Sequence, residues 1–201
     1  SLTQTSKKLL ETQQTLADDR VDAIVNGDGE EPFLEIIAAI DAGRSLSGIP
    51  GVYSKEGGRV TGPGGARAYP DIEDLPPLPY DLIDVPDYFT TNTLGKRDLI
   101  AQTSRGCPHE CTFCYDVAFA ERTWRAWSPE RVVRELKELV TRYGLTAVHF
   151  QEDNFFVSKK RAGDVAELIL KEGIDVEIRT NCRADYIAQW EPSYLTHLRK
   201  A

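Results

Sequence analysis

The 201-residue chain is long enough for one ordinary domain or for parts of two, and its composition, 41% hydrophobic and 28% charged, is that of a globular protein with a sizeable core. With Lys+Arg at 24 and Asp+Glu at 32 the net charge is −8, which argues against a nucleic-acid partner held through phosphate contacts. Apolar stretches such as residues 33–40 are broken by charge and fall far short of the roughly 18 residues of a membrane-spanning helix. The opening residues, Ser1 to Lys8, form no signal-peptide centre, and the chain lacks Met altogether, so a fragment of a longer protein is expected. Three of the four cysteines crowd between Cys107 and Cys114, the pattern of a cofactor site in a reducing, cytoplasmic compartment and not of a disulfide scaffold.

In chain order, residues 6–16 read as a short amphipathic helix carrying Leu9, Leu10 and Leu16. Ala23-Ile24-Val25 reads as a brief strand, and the turn-rich Asn26 to Glu31 opens into a second helix. Pro32 suits that helix's first turn, Phe33, Leu34, Ile37 and Ile40 recur at helical spacing, and Gly43 stands where a left-handed cap belongs. Between Gly43 and Pro79 lie 14 of the chain's 26 Gly and Pro residues, which marks a connector. On it, Val52-Tyr53-Ser54 and Arg59-Val60-Thr61 flank Gly57-Gly58 as a small hairpin, and the prolines from Pro76 to Pro79 read as an inter-domain strap more simply than as a polyproline ligand.

After Lys96 strands and helices alternate. Leu99 to Thr103 forms a strand; Ser128 and Pro129 start a helix with Val132, Val133, Leu136, Leu139, Val140 and Tyr143 on its apolar face, ended by Gly144. Ala147 to Phe150 is the next strand, Ser158 caps a helix with Val165, Leu168 and Ile169 inward, Gly173 stops it, and Ile174, Val176 and Ile178 form a third strand. A further helix is expected after Trp190. Such alternation implies parallel strands with right-handed crossovers, an α/β architecture forming an open sheet or part of a barrel. Three units cannot close a barrel, which also points to truncation.

Cys107-Pro108-His109-Glu110-Cys111-Thr112-Phe113-Cys114 places three thiols, with three and then two residues between them, on the loop leaving the first of these strands. Zinc sites usually pair Cys-x2-Cys and complete a tetrahedron with a fourth ligand, whereas iron–sulfur clusters accept thiolates at several close spacings. A cluster held by three protein thiolates keeps one iron open for another ligand. Strand carboxyl ends are also where parallel barrels gather catalytic groups.

This motif, with an aromatic residue before the last Cys, resembles the signature of the radical S-adenosylmethionine (radical SAM) enzymes. Thr103 to Pro108 resembles the lead-in of the subgroup whose radical domain follows a cobalamin-binding domain. Val21 to Glu30 is similar to that subgroup's segment closing the cobalamin domain, with Asp28 where Glu is usual. Ile49 to Val52, Asp74 to Pro79, Phe150 to Phe155 and Asn181 to Asp185 are similar to its linker and later strand ends.

The resemblance implies an α/β fold made of the end of a Rossmann-like cobalamin-binding domain (1–44), a linker with a small hairpin (45–95) and the N-terminal half of a TIM-like (β/α) radical SAM barrel (96–201). It implies a [4Fe–4S] cluster on Cys107, Cys111 and Cys114. The open iron would chelate S-adenosylmethionine, whose reductive cleavage yields a 5′-deoxyadenosyl radical, with cobalamin also bound. Phe113, Glu152, Asp153 and Arg183 would bind S-adenosylmethionine, Asp153 being preferred over Glu152, and Gly27, Gly29 and Glu30 would belong to the cofactor-binding set of the first domain. Glu152 to Asn154 could instead simply cap the following helix, and Arg183 could pair with Asp185. His109 reads as a solvated loop residue, His149 as a satisfied polar side chain, Cys182 as a small buried residue, and Trp124 and Trp127 as packing residues.

The implied activity is methyl transfer or oxidative cyclisation of a small molecule or cofactor precursor, fed by a low-potential donor such as flavodoxin or ferredoxin, with no nucleic acid and no membrane span involved. A non-catalytic module, with the cysteines and His109 holding zinc or an electron-transfer cluster, is the alternative from another class; a cobalamin-free methylthiotransferase is the nearer one. The isolated chain is expected to expose apolar edges and aggregate in size-exclusion chromatography; a monodisperse, cooperatively melting sample counts against truncation.

Overall fold

The computed structural model describes residues 11–65, 69–91, 96–119 and 122–201. The chain divides into two compact units, Ser1–Pro70 and Asp71–Ala201.

In the first unit residues 11–16 are helical and Leu16 is fully buried; the expected residues 6–10 of this helix lie outside the described residues. Strand β1 (Ala23–Val25) leads to helix α1 (Glu30–Asp41), and strands β2 (Val52–Glu56) and β3 (Arg59–Thr61) follow. Gly57 and Gly58, both at positive φ, make the turn whose twist suits a tight hairpin. The hairpin does not ride free on a connector: β2 is the middle strand of an antiparallel sheet in the order β1-β2-β3, with Ile24 opposite Tyr53. The buried Val52 packs with Ala23 and Val25, giving the three-residue β1 a partner it needs.

Helix α1 ends as expected, with Gly43 at φ +60° and the Arg44 N–H on the Ala39 carbonyl at 2.8 Å. Its apolar face differs from the expected one. Ile36 and Ala39 pack against Ile49 and Val52, while Phe33, Leu34, Ile37 and Ile40 are exposed. Helical spacing identifies the helix, but two overlapping apolar arcs compete, and the arc with the small Ala39 meets the sheet.

The second unit begins with an extended strap through the 3-10 turns Tyr80–Leu82 and Val85–Tyr88. It continues with β4 (Asp98–Ala101), β5 (Ser104–Arg105), α2 (Asp116–Phe119), β6 (Arg125–Ala126), α3 (Pro129–Tyr143), β7 (Ala147–Phe150), α4 (Lys159–Glu172), β8 (Glu177–Thr180), α5 (Ala184–Gln189) and α6 (Pro192–Lys200). Strands β4, β7 and β8 form a parallel sheet in sequence order, with Leu99, Val148 and Ile178 in register. Helices α3 and α4 cover one face: Val132, Val133, Leu136, Leu139, Val165 and Ile169 close on Leu99, Val148 and Phe150 in one core.

The helix ends follow the sequence. Ser128 and Ser158 Oγ accept the Arg131 and Arg161 N–H groups at 3.2 Å, and Gly144 and Gly173 are left-handed. The first strand stops at Ala101 because Thr103 leaves the ladder for a side-chain partner. The third begins only at Glu177, since the Ile174 N–H is spent on the Ile169 carbonyl in the cap of α4. The strap is tied to the start of α3: Trp127 Nε1 donates to the Ile72 carbonyl at 3.0 Å, and the Glu73 carboxylate accepts both Ser128 N–H and Oγ–H at 2.8 Å. No described helix is long and apolar enough to cross a membrane.

Ser128 is thus both a helix cap and a strap anchor. Ser128→Ala is expected to cost about 1–2 kcal/mol, read as a lower urea midpoint at unchanged m-value.

Candidate cofactor site at the carboxyl edge of the parallel sheet

The cysteine loop departs from β5 through Gly106 (φ +78°), and its far end returns as β6, antiparallel to β5 with Ser104 opposite Ala126. The Trp127 N–H on the Thr103 carbonyl at 2.9 Å extends this closure, so the loop is a clasped excursion above the sheet. Cys107, Cys111 and Cys114 are free thiols, each partly buried, and the Cys114 N–H closes a turn on the Cys111 carbonyl at 3.0 Å. Among the described residues no three His, Cys, Asp or Glu side chains converge tightly enough to hold a metal ion. Phe113 is 92% exposed, and Tyr115 beside the last cysteine is exposed as well.

Beneath the loop lies a buried polar network. Glu152, 3% exposed, accepts the Thr103 backbone N–H at 2.6 Å, the Thr103 hydroxyl and the Ser104 hydroxyl. Thr103 Oγ1 in turn accepts from Arg161 Nη2 at 2.9 Å, and Arg161 Nε donates to the Trp127 carbonyl at 2.7 Å. Burial pushes the Arg161 guanidinium's pKa down, and the opposing charge of Glu152 acts against that. Asn181 Nδ2 donates to the Glu152 carbonyl at 2.9 Å, joining the ends of β7 and β8.

The segment from Phe150 to Phe155 divides by side. Phe150 and Phe155 stack at 5.6 Å between ring centroids inside the core, Glu152 points inward, and Asn154 caps the turn Phe155–Val157 by accepting the Phe156 N–H at 3.2 Å. Asp153 is exposed and acts electrostatically on Cys107, Tyr115 and Asp116 of the loop. Of the two carboxylates singled out by the sequence, Glu152 is spent on the protein and Asp153 is open.

Asp116, which the sequence reading passed over, is 2% exposed and accepts the Cys107 N–H. Burial and then Asp153 push its carboxyl pKa up. Burial likewise raises the Cys107 thiol, lowered in part by the His109 N–H and raised further by Asp116, Asp153 and Cys111.

Arg183 donates through Nε and Nη2 to both Asp185 oxygens at 3.0 Å and through Nη1 to Cys111 Sγ at 3.1 Å. His109 is partly buried and not merely a solvated loop residue: its Nε2 lies 2.5 Å from the hydroxyl of Tyr186 on α5. Cys182 is half-buried, His149 pairs with Arg179 at 3.0 Å, and Trp127 stacks under the Arg131 guanidinium at 4.4 Å. Gly27 and Gly29, the latter the N-cap of α1, and Glu30, its first residue, lie in the first unit; Gly27 has φ +121°. Thr103, Ser104 and Arg161 were also missed; the one available signal was a charge at Arg161 on the helix face shared by Ala162, Val165 and Ile169.

Residues 102–201 match the family model of the radical SAM superfamily. An uncharacterized methyltransferase of Pyrococcus horikoshii is 35% identical over 165 residues, covering 82% of this chain and 35% of its own. The anaerobic magnesium-protoporphyrin IX monomethyl ester cyclase of Synechocystis is 28% identical over 85% of this chain and 33% of its own. The chain thus spans about a third of the length of these curated relatives. Among solved structures, the cobalamin-dependent S-adenosylmethionine radical enzyme OxsB, with aqua-cobalamin and S-adenosylmethionine bound, superposes with a TM-score of 0.66 at 20% identity, over 89% of this chain and 25% of its own. That likeness is one of fold.

Glu152→Ala leaves three donors without their acceptor and the buried Arg161 guanidinium without its opposing charge, and is expected to cost about 3–5 kcal/mol in urea denaturation, with Glu152→Gln costing less. An Ala variant within about 1 kcal/mol of wild type would remove the network from this role.

Proposed function

The chain belongs to the radical SAM superfamily, and on that premise we propose that it is the cluster-bearing part of a cobalamin-dependent radical enzyme carrying out methyl transfer or oxidative cyclisation. The observation that carries the reading is the clasped loop of three free thiols at the carboxyl edge of a parallel sheet, with the open carboxylate of Asp153 beside it. The donor set fits a [4Fe–4S] cluster: three soft thiols, none in a disulfide, partly exposed on one loop. Cys107, Cys111 and Cys114 would hold it, and the chemistry it would supply when bound is one-electron reductive cleavage of the sulfonium of S-adenosylmethionine.

The protein's own residues do the positioning. Asp153 accepts hydrogen bonds from the ammonium of S-adenosylmethionine, Phe113 offers an exposed ring to the adenine, and Glu152 fixes the stem of the cysteine loop from below. Arg183 completes the set at the β8 end. Gly27, Gly29 and Glu30 belong to the first unit's own cofactor-binding set. In this reading residues 1–44 close a Rossmann-like cobalamin domain, 45–95 form the linker, with the hairpin docked on β1, and 96–201 begin a (β/α) barrel of which β4, β7 and β8 are the first strands. The substrate is a small molecule or cofactor precursor, the electron donor a flavodoxin- or ferredoxin-like protein, nucleic acid takes no part, and the compartment is the cytoplasm.

The test is low-temperature EPR on anaerobically reconstituted, dithionite-reduced full-length protein. A [4Fe–4S] signal that shifts on adding S-adenosylmethionine, and that Cys107→Ala, Cys111→Ala and Cys114→Ala each abolish, is the expected result. A signal indifferent to S-adenosylmethionine would indicate an electron carrier, and stoichiometric zinc without a cluster would overturn the enzyme reading.

A further inference from the structure

Arg183 is in direct contact with a cysteine of the motif, and its geometry is specific. Two of its donors are taken by the Asp185 carboxylate in a fork, both at 3.0 Å, which fixes the plane of the guanidinium. Nη1 then points at Cys111 Sγ from 3.1 Å, well inside the range of a hydrogen bond to sulfur. A second contact from the same segment, His109 Nε2 to the Tyr186 hydroxyl at 2.5 Å, holds the loop against the start of α5, so the Arg183–Cys111 approach is braced on both sides.

We propose that Arg183 is a positioning residue that donates a charge-assisted N–H···S hydrogen bond to Cys111 as a cluster ligand and thereby sets the cluster's reduction potential. The inference rests on the cluster reading of the three cysteines. A ligating thiolate carries negative charge, and reduction by one electron from a low-potential donor adds one more to the cluster. A cation hydrogen-bonded to the sulfur stabilises the reduced state more than the oxidised one, and hydrogen bonds to sulfur are among the protein's levers on such potentials. Asp153 and Asp116, which act on the Cys107 side of the same loop, pull the other way. Arg183 is therefore the counterweight that keeps the cluster reducible by its donor, while Asp185 holds the guanidinium in place.

The experiment is an EPR-monitored redox titration of the full-length protein, reconstituted with iron and sulfide, in wild type, Arg183→Met and Arg183→Gln, with iron counted in each. Arg183→Met is expected to reduce the equilibrium constant for cluster reduction at least tenfold, a shift of about 59 mV to more negative potential for one electron. Arg183→Gln, which retains a neutral N–H donor, is expected to fall between that variant and wild type. If Arg183→Met fails to retain iron, the Gln variant decides: a more negative potential supports the inference, and a wild-type potential overturns it. Unchanged potentials in both fully loaded variants overturn the inference alone, whereas a wild-type protein that takes up no cluster overturns the cluster reading and the inference together.

Discussion

The second unit hangs on a carboxylate that water does not reach. Glu152 takes three hydrogen bonds from Thr103 and Ser104, and Thr103 passes the interaction on to Arg161, whose Nε and Nη2 also donate to the Trp127 and Thr103 carbonyls. Desolvating either charge alone costs several kcal/mol, and the arrangement is tolerable only because donors and acceptors meet in one network. Its effect is geometric: it pins residues 103 and 104, the last two before Arg105-Gly106-Cys107, to the carboxyl end of the neighbouring strand. The position at which the cysteine loop leaves the sheet is thus decided by β7 and α4, not by the loop.

Around that pin the architecture separates rigid from adaptable parts. Helices α3 and α4, each with a serine cap and a left-handed glycine, cover one face of the parallel sheet, and the strap is laced to α3 through Glu73 and the Ile72 carbonyl. The residues with chemistry to offer stand on the loops at the strands' carboxyl ends, where backbone and side chains are not committed to the core. Asp153 and Glu152 show how sharp this division is: adjacent residues, one facing the loop and one sealed beneath it.

The electrostatics of the loop favour the neutral thiol at Cys107. Burial raises the Cys107 thiol's pKa, and the acidic neighbours Asp116 and Asp153 add to it. A metal held there would favour the thiolate through its own positive charge, and its binding would release protons. Arg183 supplies the opposing charge next to Cys111, so acids beside one cysteine and a cation beside another make the motif's thiols electrostatically unlike one another.

The sequence by itself determined the chain's α/β order, the caps at Ser128, Gly144, Ser158 and Gly173, the core faces of α3 and α4, and the cysteine spacing that identifies the family. These are local signals, carried by residues within a few positions of one another. Tertiary structure decided what depends on distant partners: that Glu152 faces Thr103 and Ser104 while Asp153 stays open, that His109 meets Tyr186, that Arg183 bridges Asp185 and Cys111, and that the hairpin pairs with β1. It also chose Ile36 and Ala39 over Phe33 and Leu34 as the packed arc of α1. Periodicity names an element and its apolar residues, but which arc is buried and which carboxylate is consumed are properties of the surface that the element meets, and that surface is assembled from residues tens of positions away.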